Sequence, residues 1–294
     1  MDLQKKSWQW IILLILAFTW GSSFIMMKKG LQSFSSNQVA ALRMFISFVL
    51  LLPFIIYHIK AINRKHLLWV TLVGVFGNFI PAFFYTAAQT KINSSLAGML
   101  NALTPIFTLI VGLALFKTKS SLLNILGLII GLVGAAGLAV TDISDFFEGN
   151  NWYGLFAVAA TLCYGFNVNL IKEKLKDLSG IQITALAFLF IGPAAGIWLL
   201  FSGFETAVQA DGAMTDLMYI FLLALFSSVL AVIVMNILLK HVTAIFFSTV
   251  TYIIPIFAII WGLIDGEGFL YADLIWITIV LAGVYMVNIK RRTK

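Results

Sequence analysis

The sequence predicts an all-α integral membrane protein, with ten transmembrane helices arranged as two inverted five-helix repeats. Three observations predict it. Of 294 residues, 61% are hydrophobic and 11% charged, with a mean hydropathy of +1.02, a balance at which lipid rather than water is the main solvent. Apolar runs of about 20 residues, the length a bilayer core requires, follow one another with short polar breaks and leave no room for a soluble domain. Glycine, proline and polar positions in the first half of the chain recur in order in the second.

The first run, Trp8 to Met27, follows Lys5 and Lys6 but is too long for a signal peptide and has no small-residue cleavage site, so it is read as a retained helix. The spans are expected at 8–28, 38–58, 67–88, 94–115, 121–141, 152–171, 181–202, 215–239, 243–264 and 271–289. All are assigned as helix, because a long continuous apolar run in lipid must satisfy its backbone internally, whereas a barrel would show short alternating segments.

Orientation follows from the basic residues. With the N-terminus in the cytoplasm, fifteen of the nineteen Lys and Arg residues fall inside, Lys28, Lys29 and Lys91 fall outside, and Arg43 lies within a span. That asymmetry predicts a multi-pass inner-membrane protein with both termini cytoplasmic. Nine of twelve acids, Asp142, Asp145, Glu148, Glu205, Asp211, Asp216, Asp265, Glu267 and Asp273, fall outside. The net charge of +7 is thus a matter of topology, and no nucleic-acid partner is expected.

A shift of 144 residues brings Gly21 onto Gly165, Lys28 onto Lys172, Ser35 onto Ser179 and Gln38 onto Gln182. A shift of 150 brings Pro105-Ile106-Phe107 onto Pro255-Ile256-Phe257 and Gly112 onto Gly262. The repeats are placed at 1–148 and 149–294. Five spans is an odd number, so the second repeat must enter the membrane from the opposite side, the architecture from which alternating access around a midplane site arises.

The segment Trp20-Gly21-Ser22-Ser23-Phe24, the stretch Ala40-Ala41-Leu42-Arg43-Met44, the proline-centred fourth and ninth spans and the closing Leu281-Ala282-Gly283-Val284 resemble the EamA family of the drug/metabolite transporter superfamily. The resemblance covers residues 10 to 289 and implies a ten-helix transporter of amino acids and other metabolites. One departure is plain: the Gly-Glu pair common after the fourth and ninth spans occurs only as Gly266-Glu267, with Lys117 at the matching place in the first repeat.

Candidate substrate-binding residues are the polar and aromatic side chains at helical depth: Trp20, Ser22, Ser23, Asn78, Tyr85, Asn101, Tyr164, Asn167, Asn236, Tyr252 and Trp261. Hydroxyls, amides and indoles can orient a small polar solute in a dry cavity, and each can equally serve as interhelical glue. Arg43 joins them as the one charge well inside a span, facing either a substrate carboxylate or, by snorkelling, the nearby interface. Pro105 and Pro255 remove mid-helix backbone donors at mirrored positions and are candidate hinges. Gly127, Gly131 and Gly134 permit close helix packing on the fifth span, and a homodimer face is left open there.

No carboxylate lies mid-span, which disfavours export of cationic drugs. There is no GxxxxGK[ST] loop for ATP hydrolysis, and His58, His66 and His241 sit at cytoplasmic edges without a Cys or acid cluster, so neither a cofactor nor a metal is expected. Cys163 has no partner in the chain. The expectation is a secondary transporter, an exporter or exchanger of small metabolites such as amino acids, and not an enzyme. A non-transporting scaffold or sensor, or an intramembrane lipid-modifying enzyme, are the alternatives. The partners are a small-molecule substrate and the lipid bilayer.

Overall fold

The computed structural model describes residues 3–61, 64–118, 120–140, 153–267 and 272–288. Among them, the long elements are helices, in the order α1 (Lys6–Gly30), α2 (Ser36–His58), α3 (Arg64–Ala88), α4 (Ser94–Phe116), α5 (Leu122–Val140), α6 (Tyr153–Lys174), α7 (Gly180–Leu200), α8 (Ala213–Leu238), α9 (Ala244–Ile264) and α10 (Ala272–Asn288). Eight of these, all but α5 and α10, are long and apolar enough to cross a membrane and correspond to eight of the expected spans. Lys119, Asp142, Asp145, Glu148, Lys290, Arg291, Arg292 and Lys294, on which part of the charge reading rests, and the 148/149 boundary lie outside the described residues.

Large apolar side chains stand exposed along the outer flanks of the bundle, among them Ile15, Phe54, Ile56, Leu115, Ile197 and Leu230. A surface this apolar is stable only against lipid. The multi-pass membrane protein expected from composition is thus what the chain builds.

Two helices begin with the same device. Ser35 accepts a bond from Gln38 N while the Gln38 side chain accepts from Ser35 N, and Ser179 and Gln182 repeat both bonds at the start of α7. Each capping box satisfies two of the amides that a helix start leaves bare.

Not every helix is regular. Residues Val75–Phe79 of α3 and Leu223–Leu230 of α8 are wound as π-helix, with Ile80 N bonding Val75 O and Ala231 N bonding Phe226 O. In α3 the π-wound turn runs up to Pro81, whose missing N–H leaves the Gly77 carbonyl without its usual donor. In α4 the expected kink is a break: one piece ends at Asn101 and the next starts at Thr104. Pro105 cannot donate to Asn101 O, and the Thr104 hydroxyl does so instead at 2.8 Å. In α9 the interruption falls at Thr249, before Pro255 rather than at it, where Thr249 Oγ1 bonds Phe246 O at 2.7 Å and Tyr252 N bonds Thr249 O in a tighter turn.

Helix ends define two faces. Trp10 packs edge-on to Phe246, joining the starts of α1 and α9 on what we term the near face, where Lys172 Nζ also donates to Leu239 O at 2.8 Å. On the far face Gln38 Nε2 reaches Ser202 O at 2.9 Å, tying the start of α2 to the end of α7. Helices α5 and α10 pack on each other at the edge, with Gly283 held against Gly127 O and Gly131 N, so the glycine face of α5 is occupied within the chain.

Candidate functional site

The site lies where the irregular segments meet. The break in α4, the π-wound turn of α8 and the interruption of α9 each leave polar backbone and side-chain groups in mid-bundle, which membrane helices tolerate only when they line a cavity or find partners. A cavity of about 80 Å3 is found there, between α1, α2, α3, α4, α6, α8 and α9. Eight of the twelve candidate binding residues line it: Trp20, Ser23, Arg43, Asn78, Tyr85, Asn101, Tyr164 and Asn167.

Each is held from behind. Trp20 Nε1 donates to Ser227 O at 3.1 Å, and Ser227 Oγ returns a bond to Thr19 O at 3.3 Å, so α1 and α8 are tied reciprocally. Tyr85 OH donates to Asn101 Oδ1 at 3.0 Å, which also accepts from Thr104 Oγ1 at 3.2 Å. The Tyr85 ring stacks on Tyr164, with centroids 6.1 Å apart and planes 21° off parallel, and meets Phe24 edge-on at 5.5 Å. Asn167 packs against Gly77, where an added Cβ would stand 2.5 Å from Nδ2, so only glycine leaves room for the amide.

Arg43 is the single charged residue in the lining. It does not snorkel: its side chain turns inward, 9% exposed, and Nε donates to Ser228 Oγ at 2.7 Å. Ser47 Oγ bonds the Arg43 carbonyl at 2.7 Å and Ala224 O at 3.4 Å, which fastens this turn of α2 to the π-wound turn of α8.

The other four candidates lie away from the cavity and join helices. Trp261 Nε1 donates to Ser22 Oγ at 2.7 Å, linking α9 to α1. Asn236 Nδ2 donates to Thr184 Oγ1 at 2.8 Å, linking α8 to α7, and Tyr252 OH donates to Leu128 O at 3.1 Å, linking α9 to α5. Pro105 is buried beside the break in α4 and Pro255 is buried within the continuous part of α9, both outside the lining. Sequence reasoning did not single out Thr104, Ser227, Ser248 and Thr251, which also line the cavity. The Ser227-Ser228 pair in the middle of an apolar run was the available signal.

On the far face the ends of α1 and α9 and the start of α4 are joined by ion pairs. Lys28 Nζ lies 2.7 Å from Asp265 Oδ2 and 2.9 Å from Glu267 Oε1, and Lys29 Nζ lies 2.5 Å from Asp265 Oδ1. Glu267 also accepts from Ser94 N, Ser95 N and Ser95 Oγ, so one carboxylate caps the start of α4, where the helix dipole favours an anion. Hydrogen bonds from Lys28 and Lys29 hold the Asp265 carboxyl below its ordinary range. Burial works to raise Glu267, but the Ser95 hydroxyl and Lys28 outweigh it and the net direction is down. At the near face Lys172, the repeat counterpart of Lys28, meets Leu239 O instead, and Lys240 donates to Leu175 O and Lys176 O at 2.9 and 2.8 Å.

Among the described residues, no group of three His, Cys, Asp or Glu side chains is placed to hold a metal. The arrangement offers hydrogen bonds, aromatic faces and one cation to a small solute, and no nucleophile with an adjacent base.

Comparison with known proteins agrees with this architecture. The Escherichia coli K12 protein named as uncharacterized inner membrane transporter YedA is 23% identical over 280 residues, 94% of this chain and 89% of the relative. A Rickettsia felis protein named as an S-adenosylmethionine uptake transporter is 29% identical over 199 residues, covering 66% of this chain and 67% of its own. A solved crystal structure superposes with a TM-score of 0.72 over 97% of both chains at 15% identity, which speaks to the fold alone. The sequence pattern of the EamA-like transporter family matches residues 7–140 and 151–289, nearly the whole chain. The chain belongs to the EamA-like transporter family, within the drug/metabolite transporter superfamily.

Proposed function

We propose that the protein is a secondary transporter, an exporter or exchanger of small metabolites such as amino acids, working by alternating access. The observation that carries the reading is a mid-bundle cavity of mixed apolar and polar lining, built from α1–α4 and from α6, α8 and α9, with helix ends joined by ion pairs on the far face. A scaffold has no need of such a cavity, and an enzyme would need a catalytic set that the lining does not contain.

The cycle rests on two halves, 1–148 and 149–294, crossing the membrane five times each in opposite senses, with α5 and α10 completing the ten spans. Supporting this are the matched capping boxes of α2 and α7, the π-wound turns of α3 and α8, and the two segments that fit the family pattern. On this reading both termini lie in the cytoplasm, the near face is cytoplasmic and the far face outward, and the distribution of the basic residues along the sequence supports it. Substrate enters the cavity, the halves rock, and Pro105 at the break in α4 and Pro255 within α9 serve as hinges.

The substrate named for the Rickettsia relative is a sulfonium cation, and the lone guanidinium of Arg43 counts against it here. Counterflow of a labelled metabolite panel in proteoliposomes, with and without a proton gradient, tests the proposal. Saturable exchange establishes a carrier. Absence of flux for every solute, with the protein shown to be folded, favours the scaffold.

A further inference from the structure

Arg43 is a buried cation without a counter-ion among the described residues. Among the described residues no carboxylate pairs with it, and the remaining cavity lining is uncharged. A guanidinium presents five N–H donors. Nε is used on Ser228 Oγ, and Nη1 has only the Met27 thioether sulfur at 3.9 Å, a weak acceptor. An uncompensated charge at this depth is costly and is usually offset by an anion or by a water-filled cavity.

A second group in the same lining is unsatisfied. Asn167 is 2% exposed and its Oδ1 is buried without a hydrogen-bond partner. An orphaned buried acceptor costs about 1 to 3 kcal/mol, which a ligand donor would recover. The cavity therefore offers spare cationic donors and one spare acceptor.

We infer that the transported solute is a small organic monoanion, with its carboxylate on the Arg43 guanidinium and a hydroxyl or comparable donor for Asn167 Oδ1. The inference rests on the transporter reading and narrows it. Charge decides between ligand classes: a monoanion makes the filled cavity neutral, a zwitterion leaves it with a net positive charge, and a dianion makes it negative. In a medium of low dielectric the neutral combination is preferred. Among solutes of equal size, a hydroxy acid is thus favoured over the corresponding amino acid.

The test measures binding to purified protein and counterflow in proteoliposomes for lactate and glycerate, their neutral amides, and alanine and serine. Lactate or glycerate should bind and exchange saturably, about tenfold or more tightly than the amides or amino acids. Arg43→Gln should abolish that preference. Ser228→Asp, which supplies an internal carboxylate beside the intact arginine, should do the same, and helical circular dichroism and a monodisperse size-exclusion profile verify that each variant folds. Exchange of alanine or serine with affinity unchanged in Arg43→Gln overturns the inference and leaves the transporter reading standing. No binding or flux of any solute by folded protein overturns both.

Discussion

Lys28 and Glu267 meet at 2.9 Å on the far face, and the same carboxylate caps the amides of Ser94 and Ser95, so a single side chain ties the end of α1 and the start of α4 to the turn after α9. The Glu267 side chain is 8% exposed, which separates this pair from a solvated surface bridge. Replacing Lys28 by Met and Glu267 by Gln, singly and together, should show non-additive losses in apparent melting temperature, with a coupling on the order of 1 kcal/mol. Additive losses would mean that the pair does not join these helix ends.

The pH response of this ion-paired cluster has a definite sign. Both Asp265 and Glu267 are held below the ordinary carboxylate range, so their stabilisation is fully present above about pH 5 and is lost as pH falls through the lowered values. Thermal stability should therefore not respond to these two groups between pH 6 and 8, and should decline in acid. Glu267→Gln should flatten part of that decline, as followed by unfolding in detergent across a pH series.

Gly21 and Gly165 occupy mirrored contacts. A Cβ on Gly21 would stand 2.6 Å from Phe257 Cβ and 3.0 Å from Ile254 O, and one on Gly165 would stand 2.7 Å from the backbone of Phe107 and Thr108. Gly21→Ala and Gly165→Ala should each destabilise by about 1 to 3 kcal/mol, since the opposing atoms belong to helix backbones or sit directly on them. Gly165→Ala should be the worse, because its two nearest contacts are both main chain. Folded yield and melting temperature of the two variants check the order.

What could be read ahead of the structure follows from what a linear pattern encodes. Ser35 with Gln38, and Ser179 with Gln182, entered the sequence reading only as repeat matches, although the capping box they form is a local motif that a linear pattern can encode. Pro105 announced an interruption, but its position was set by Asn101 and Thr104, whose side chains and carbonyls rearrange around the missing donor. That all twelve candidate residues fall within helices was legible, whereas direction around the helix was not. Helices such as α6 and α9 are apolar on nearly every face, so periodicity does not separate Tyr164, which lines the cavity, from Tyr252, which braces α5. The π-wound turn of α8 carries no proline, and only the pair Ser227-Ser228 marked it.

Pro105 tests the hinge. In Pro105→Ala a backbone N–H becomes available to Asn101 O, which now relies on the Thr104 hydroxyl, and the two pieces of α4 can join. Stability should be kept or rise slightly while the turnover rate in counterflow falls. Thr104→Val removes the substitute donor and should instead cost stability by about 1 kcal/mol. Equal rates in Pro105→Ala and the parent would assign the proline to packing.

Two tyrosine-to-phenylalanine changes separate lining from bracing. Tyr85→Phe keeps the stack on Tyr164 but removes the bond to Asn101 Oδ1 in the cavity, so half-saturation for the transported solute should rise severalfold with little change in melting temperature. Tyr252→Phe removes the bond to Leu128 O, outside the lining, and should lower the melting temperature while half-saturation stays where it was. The chemical change is the same in both, the loss of one phenolic hydroxyl in a buried setting. A difference in which parameter moves can only come from what each hydroxyl faces, and if the two variants behave alike, the boundary drawn here between cavity and scaffold is misplaced.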